Sequence, residues 1–203
     1  MTKADTLQIL KEKEREFRQN LIIDAAREVF GQKTYDKVSM AEIAKAAGIA
    51  KSSIYTYFKS QEILYVTIAC QDVQGLLDGL KKEVQTKDRD VVQTLIQYFL
   101  DYYITHESQW RMITHLALHG KNDMESNEKL NDASRELMNI IEQMFIDSGC
   151  KKDARLMSHT LFSCLSGILI AFRKYPGRTE KERIAHMKRI GTVIDAMMQT
   201  YIF

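Results

Sequence analysis

Residues 40–59 read MAEIAKAAGIAKSSIYTYFK, and this stretch decides the fold. Met40, Ile43, Ala44 and Ala47 recur at helical spacing and predict one short helix. Gly48 follows, and glycine takes the left-handed conformation that ends a helix without a Cβ penalty. Ile49 turns inward to pin the turn. A second helix resumes near Lys51, with Ile54, Tyr57 and Phe58 at helical spacing. Ala44 is small enough to let the two helices cross closely. Ser39 and Glu42 spell the capping box S-x-x-E at the start of the unit. The pattern predicts a helix-turn-helix whose second helix enters the major groove of DNA.

From about Asn20 to Leu64 the chain resembles the amino-terminal domain of the TetR family of transcriptional regulators. The residues that carry the resemblance are Ile23, Ala25, Ala26, Phe30, Ser39, Ile43, Ala44, Ala47, Gly48, Ile49, Ile54, Tyr55, Tyr57, Phe58, Ser60 and Leu64. The resemblance implies an all-α chain in two parts. Residues 1–60 would form a three-helix helix-turn-helix domain, with 1–17 a charged lead-in. Residues 61–203 would form a helical effector-binding and dimerisation domain. The implied function is a ligand-responsive, sequence-specific repressor, released from a near-palindromic double-stranded operator by a small effector. Three residues depart from the family pattern. Ala50 stands where a capping Ser is usual, Ser52 replaces a frequent Gly, and Gln61 stands where a Lys usually touches phosphate. Lys59, two residues earlier, can compensate.

Lys51, Ser52, Ser53, Tyr55 and Thr56 occupy the first turns of the second helix. Lysine and hydroxyl side chains there can address base edges or phosphate, and Thr56 and Tyr55 add a methyl and a ring. By resemblance, Tyr57 and Lys59 contact phosphate, and Ser39 with Met40 borders the same surface. Phe58 reads as core.

Composition bounds the rest. The 203 residues suffice for one domain or two small ones. The net charge of +2 excludes a histone-like polycation, so any basic surface is local. One proline and no alternating apolar run point to an all-helical chain. The longest apolar run, Leu161 to Phe172, is too short to span a bilayer. The charged N-terminus is unlike a signal peptide. Cys70, Cys150 and Cys164 show no metal spacing and an odd count, which fits a reducing cytoplasm.

Along the chain, Met1 to Phe17 alternates Lys and Glu at helical spacing, which allows it to extend the first helix or to stay frayed, and it reads as a solvated lead-in rather than a DNA-binding arm. Arg18 to about Phe30 predicts an amphipathic helix buried through Leu21, Ile22, Ala25, Ala26, Val29 and Phe30. Ser60 opens a helix of about 25 residues, some 35 Å long, which acts as a lever. The last helix carries two apolar stripes, one of Ile184, Met187, Gly191, Ile194 and Met198, the other of Ile190, Val193, Met197 and Tyr201. A helix with two sides to hide needs a partner beyond its own domain. The expected homodimer interface is a four-helix bundle using Ser163, Gly167, Ile170, Met187, Gly191, Ile194 and Met198.

The effector implied by the resemblance has Tyr65, Phe99, Tyr103, Trp110, His115, Met144 and Phe162 as its candidate pocket. Few charges interrupt this set, so an apolar or amphipathic ligand is expected. His115 and His119 stand four apart with no third ligand nearby, so no metal and no cofactor is expected. Two other classes of function remain. One is an enzyme built on Cys164 with His159, but Cys164 sits in an apolar run and no oxyanion-type glycine loop is visible. The other is a helical interaction module without DNA binding, suggested by Ala50 and Gln61.

Overall fold

A computed structural model describes residues 3–86, 90–119 and 124–202. Among the described residues every regular element is helical. In chain order they are α1 (Lys3–Gln32), a single 3-10 turn (Tyr35–Lys37), α2 (Met40–Ala46), α3 (Lys51–Tyr57) and α4 (Gln61–Thr86). Then follow α5 (Val91–Thr105), α6 (Glu107–His119), α7 (Met124–Asp147), α8 (Ala154–Phe172) and α9 (Glu180–Ile202). The polar loop expected at 120–124 falls almost wholly outside the described residues.

The chain divides into two compact units. The first holds Met1–Ala69 with Arg111–Asn127, and the second holds Cys70–Trp110 with Glu128–Phe203. A single cut after residue 60 was expected. The division instead falls within α4, and most of α6 joins the first unit. One reason is Arg111. Its guanidinium donates to the carbonyls of Phe30 at 3.0 Å and Gly31 at 2.6 Å, in the last turn of α1. That turn has no basic residue of its own, and its carbonyls are the negative end of the helix.

In the first unit, α1 begins at Lys3, not at Arg18. The stretch Asp5 to Arg18 is helical yet exposed. It is supported by i,i+4 pairs such as Glu14–Arg18 at 2.9 Å and Gln8–Glu12 at 3.4 Å. Of the two states the charged pattern allowed, an extension of the first helix or a frayed end, the chain adopts the first, and the stretch is solvated as expected. Burial starts at Ile22 and continues through Ile23, Ala25, Ala26 and Phe30, while Leu21 stays 42% exposed. These residues meet Met40, Ile43, Ala44, Ile54, Phe58 and Leu64 in one small core.

The turn between α2 and α3 closes as its sequence dictates. Gly48 has φ +68°, and Ile49 N–H donates to Ala44 O at 3.0 Å. Ser39 Oγ accepts from Glu42 N–H at 3.3 Å. The box is only half closed, because the Glu42 carboxylate pairs with Lys33, just past the end of α1. The box before α9 closes in both directions: Thr179 N–H donates to Glu182 Oε2 at 2.7 Å, and Glu182 N–H donates to Thr179 Oγ1 at 3.3 Å. A Cβ at Gly48 would meet nothing within 4 Å, so only the backbone conformation resists substitution. Gly48→Ala is expected to cost about 1–2 kcal/mol in a urea melt.

In the second unit, Asp90 caps α5 and Asp153 caps α8, each accepting backbone N–H groups. The core is formed by Leu76, Leu77 and Leu80 of α4, Leu95, Phe99 and Leu100 of α5, Phe145 of α7, and Leu161, Leu165 and Leu169 of α8. By length and composition α8 could cross a membrane, which the shorter run Leu161 to Phe172 did not suggest. In the fold it is a core helix, with Met157, Ser158, Leu161, Leu165, Ile168 and Leu169 buried.

Candidate DNA interface and effector site

The α3 helix is held from within by Ile54, fully buried, and by Phe58, 5% exposed just past its end. Its outer surface is therefore free. Lys51, Ser52, Ser53, Tyr55 and Thr56 are exposed, as is Lys59 beyond the helix, and Tyr57 is half-buried. These are the side-chain types that address base edges and phosphates. Ala50 gives α3 no side-chain cap, yet the first turn closes through Ser53 N–H to Ala50 O at 2.9 Å. Ser39 is exposed beside this surface. Met40 is not available there: its side chain is 7% exposed and belongs to the core, because it is the first apolar position of the α2 stripe.

Gln61 has a structural task. Its amide donates to Tyr35 O at 3.0 Å and ties the start of α4 to the 3-10 turn. Ser60 Oγ caps the same end by accepting Ile63 N–H at 3.1 Å. One basic residue was undervalued in the sequence. Arg18, on the exposed part of α1, lies near Tyr57. Its guanidinium is paired with Glu14 but half exposed, so phosphate can compete for it. The expected helix already began at Arg18, but the residue's nearness to Tyr57 depends on the fold. Removing a phosphate contact lowers the salt slope of DNA binding by about one unit per charge. Lys59→Ala and Arg18→Ala are each expected to flatten that slope in anisotropy titrations. Lys51→Ala is expected to change base preference as well.

The seven residues expected to line a pocket do not come together as one set. Tyr65 and His115 join Tyr35 in the first unit, with ring centroids 4.8 Å from Tyr35 to Tyr65 and 5.0 Å from Tyr35 to His115. Phe99, Tyr103, Trp110 and Phe162 cluster in the second unit. There Phe99 stands edge-on to Tyr103 at 4.9 Å and to Phe162 at 6.0 Å, and Tyr103 lies 4.9 Å from Trp110. Met144 is half-buried on α7. Burial raises the pKa of both Tyr65 and Tyr103, so both phenols stay neutral. Phe99 and Phe162 also line an apolar seam with Leu76, Leu80, Leu95 and Leu161, where the free volume is only about 10 Å³. That volume barely holds one water, so a larger guest would have to part the helices. Three polar atoms of this unit, Gln109 Oε1, Ser166 Oγ and Arg173 Nη1, are buried and make no hydrogen bond.

The two stripes of α9 separate cleanly. Met187 is 2% and Met198 6% exposed, and a Cβ on Gly191 would lie 3.0 Å from Ile96 and Leu100 of α5. These residues pack within their own unit, which corrects their placement at a partner surface. Ile194 is half-buried. The outward stripe is Val193, Met197 and Tyr201, at 57%, 67% and 58% exposure. On α8, Ser163 and Gly167 are exposed, and Ile170 is 65% exposed. Burial pushes the Cys70 thiol up, away from a reactive thiolate. Among the described residues no group of three or more His, Cys, Asp or Glu is placed to hold a metal; the His119 side chain lies outside them.

Residues 22–68 match the model of bacterial regulatory proteins of the tetR family. Over those residues the chain carries a DNA-binding domain of the TetR type. It is a DNA-binding transcriptional regulator, and the exposed face of α3 is its candidate reading surface. The chain is 26% identical to the fatty acid metabolism regulator protein of Bacillus subtilis over 153 residues, 71% of this chain and 77% of that protein. It is 32% identical to the transcriptional activator FasR of Mycolicibacterium smegmatis over 102 residues, 49% of this chain and 46% of that protein. The structure of the Bacillus subtilis regulator FadR in complex with stearoyl-CoA shares the fold of this chain. Its TM-score is 0.69 at 22% identity, covering 85% of this chain and 95% of that one. The Bacillus halodurans FadR structure gives a TM-score of 0.70 at 21% identity, covering 87% and 93%.

Proposed function

We propose that this protein is a homodimeric repressor, acting on DNA in the cytoplasm, that leaves a near-palindromic operator when a long-chain acyl effector occupies its second unit. The observation that carries the effector reading is the seam among Leu76, Leu80, Leu95, Phe99, Leu161 and Phe162. It is apolar along its length and abuts the Tyr103–Trp110 ring pair through Phe99. An acyl chain matches such a lining, whereas a sugar phosphate does not. Relatives named as fatty acid regulators support the same class of ligand. Two-fold symmetry would set the α3 helices about 34 Å apart, one turn of DNA. The exposed stripe of Val193, Met197 and Tyr201, with Ile170 on α8, supports dimerisation through α8 and α9. Regulation rather than catalysis also agrees with the character of the relatives.

The test is an anisotropy titration of an operator selected in vitro from random duplexes. Stearoyl-CoA should release the protein from it. Unchanged operator affinity at saturating ligand would remove the acyl-effector reading. Tighter binding would instead make the ligand one that holds the protein on its operator, and would remove the release reading.

A further inference from the structure

Helix α8 is apolar apart from a few positions, and two of these share one face with Phe162. Phe162, Ser166, Leu169 and Arg173 follow at steps of four, three and four residues, which aligns them along a single stripe about 16 Å long. Arg173 closes α8, and its side chain is 13% exposed. Its Nη2 donates to Tyr103 O, which places the guanidinium beside the Tyr103–Trp110 pair. Its Nη1 is buried and makes no hydrogen bond. Glu107 approaches Nη1 only to 4.0 Å and is itself half exposed, free to turn to solvent. Ser166 Oγ, two turns earlier on the stripe, is buried and unbonded as well. Buried donors without acceptors are rare in folded proteins and point to a partner that completes them. Arginine is suited to that role because its fork matches carboxylate and phosphate oxygens.

We propose that Arg173, assisted by Ser166, is the anchor for an anionic head group on the effector, whose apolar tail enters the Leu-lined seam past Phe162. The ligand class is thus an anionic amphiphile rather than a neutral lipid. This rests on the acyl-effector reading and narrows it. A carboxylate and a phosphate offer the same acceptor oxygens, so both head groups enter the test.

Trp110 is the single tryptophan and touches Tyr103, so its fluorescence reports on this site. The full-length protein is titrated with stearate, stearoyl-CoA and stearyl alcohol. Wild type should bind at least one of the two anions tenfold or more tightly than the alcohol. A preference for stearate would assign a carboxylate, and a preference for stearoyl-CoA alone a phosphate-bearing head. Arg173→Gln should bring the anion-to-alcohol ratio close to one, and Arg173→Lys should restore part of it. Ser166→Ala leaves the Tyr103 contact intact and should lower the ratio several-fold, which keeps the test available if Arg173→Gln does not fold. Equal binding of alcohol and anions to wild type, or ratios unchanged in the variants, overturns the anchor. In that outcome operator release by all three ligands would keep the acyl-effector reading, whereas release by none would remove both.

Discussion

Met197→Arg should turn the protein into a monomer and weaken operator binding by about 10²- to 10⁴-fold. Met197 is 67% exposed in the middle of the outward α9 stripe, flanked one turn away by Val193 and Tyr201. Three large apolar side chains in a row on the outside of a helix mark a surface that is covered in the working assembly. A charged side chain there would have to be desolvated to keep the partner, and no acidic residue lies in the stripe to receive it. The effect on DNA follows from linkage between half-sites. In a dimer the second recognition helix binds at an effective concentration near millimolar, which multiplies affinity by about 10²–10⁴ without any new contact. Sedimentation gives the mass, and anisotropy the affinity. Gly167→Arg, on the exposed α8 face where an added Cβ meets nothing within 4 Å, should act the same way without disturbing the protomer. A dimer that survives both changes would move the interface elsewhere. Met198→Ala is a useful contrast, because Met198 is buried in its own unit and its loss should lower stability by about 2–5 kcal/mol while sparing the dimer.

Operator DNA should weaken binding of stearoyl-CoA by the same factor by which stearoyl-CoA weakens binding of operator, about 5- to 150-fold. The structural basis is α4, one unbroken helix from Gln61 to Thr86. Its first turn is fixed beside the DNA-reading helices by Gln61 and Ser60. Its later turns supply Leu76 and Leu80 to the seam. Gly75 and Gly79 face Tyr102 and Tyr98 there, and a Cβ on Gly79 would fall 1.8 Å from Tyr98 Oη. A guest in the seam therefore acts on the same helix that carries the DNA reader. It can shift the equilibrium only by its unequal affinity for the two shapes. Calorimetry of stearoyl-CoA with and without operator measures the factor. Equal affinities would make the ligand a passenger.

The helix-turn-helix was legible because every signal for it is local. Ser39, Gly48 and Ile49 act within a few residues of themselves, and the φ of Gly48 and the bond from Ile49 to Ala44 realise them directly. What escaped depends on distant chain. Residues 5–17 of α1 are helical yet exposed, so no apolar period chose between a helix and a frayed end there. Glu42 satisfies Lys33 instead of closing its box, a choice made by a neighbouring helix. The two stripes on α9 were visible, but which one faces home is decided by Ile96 and Leu100, some ninety residues earlier. Arg111 reaches carbonyls eighty residues away, so the unit that α6 joins could not be read from spacing, although the helix itself could. Arg173 carries no signal of its own in the sequence, because its burial and its bond to Tyr103 O are set by distant chain.

The near absence of free space between Phe99, Phe162 and their leucine neighbours has a consequence for timing. A ligand cannot enter a closed seam by collision alone. On the proposed effector reading it would have to wait for the helices to part, so capture would be gated by opening of the protein. The apparent affinity is then lower than the intrinsic one by the fraction of time spent open. A brief rise in effector would pass before most molecules had opened, and only a sustained rise would be registered. The tightness of the core would thus serve as a low-pass filter on the metabolic signal.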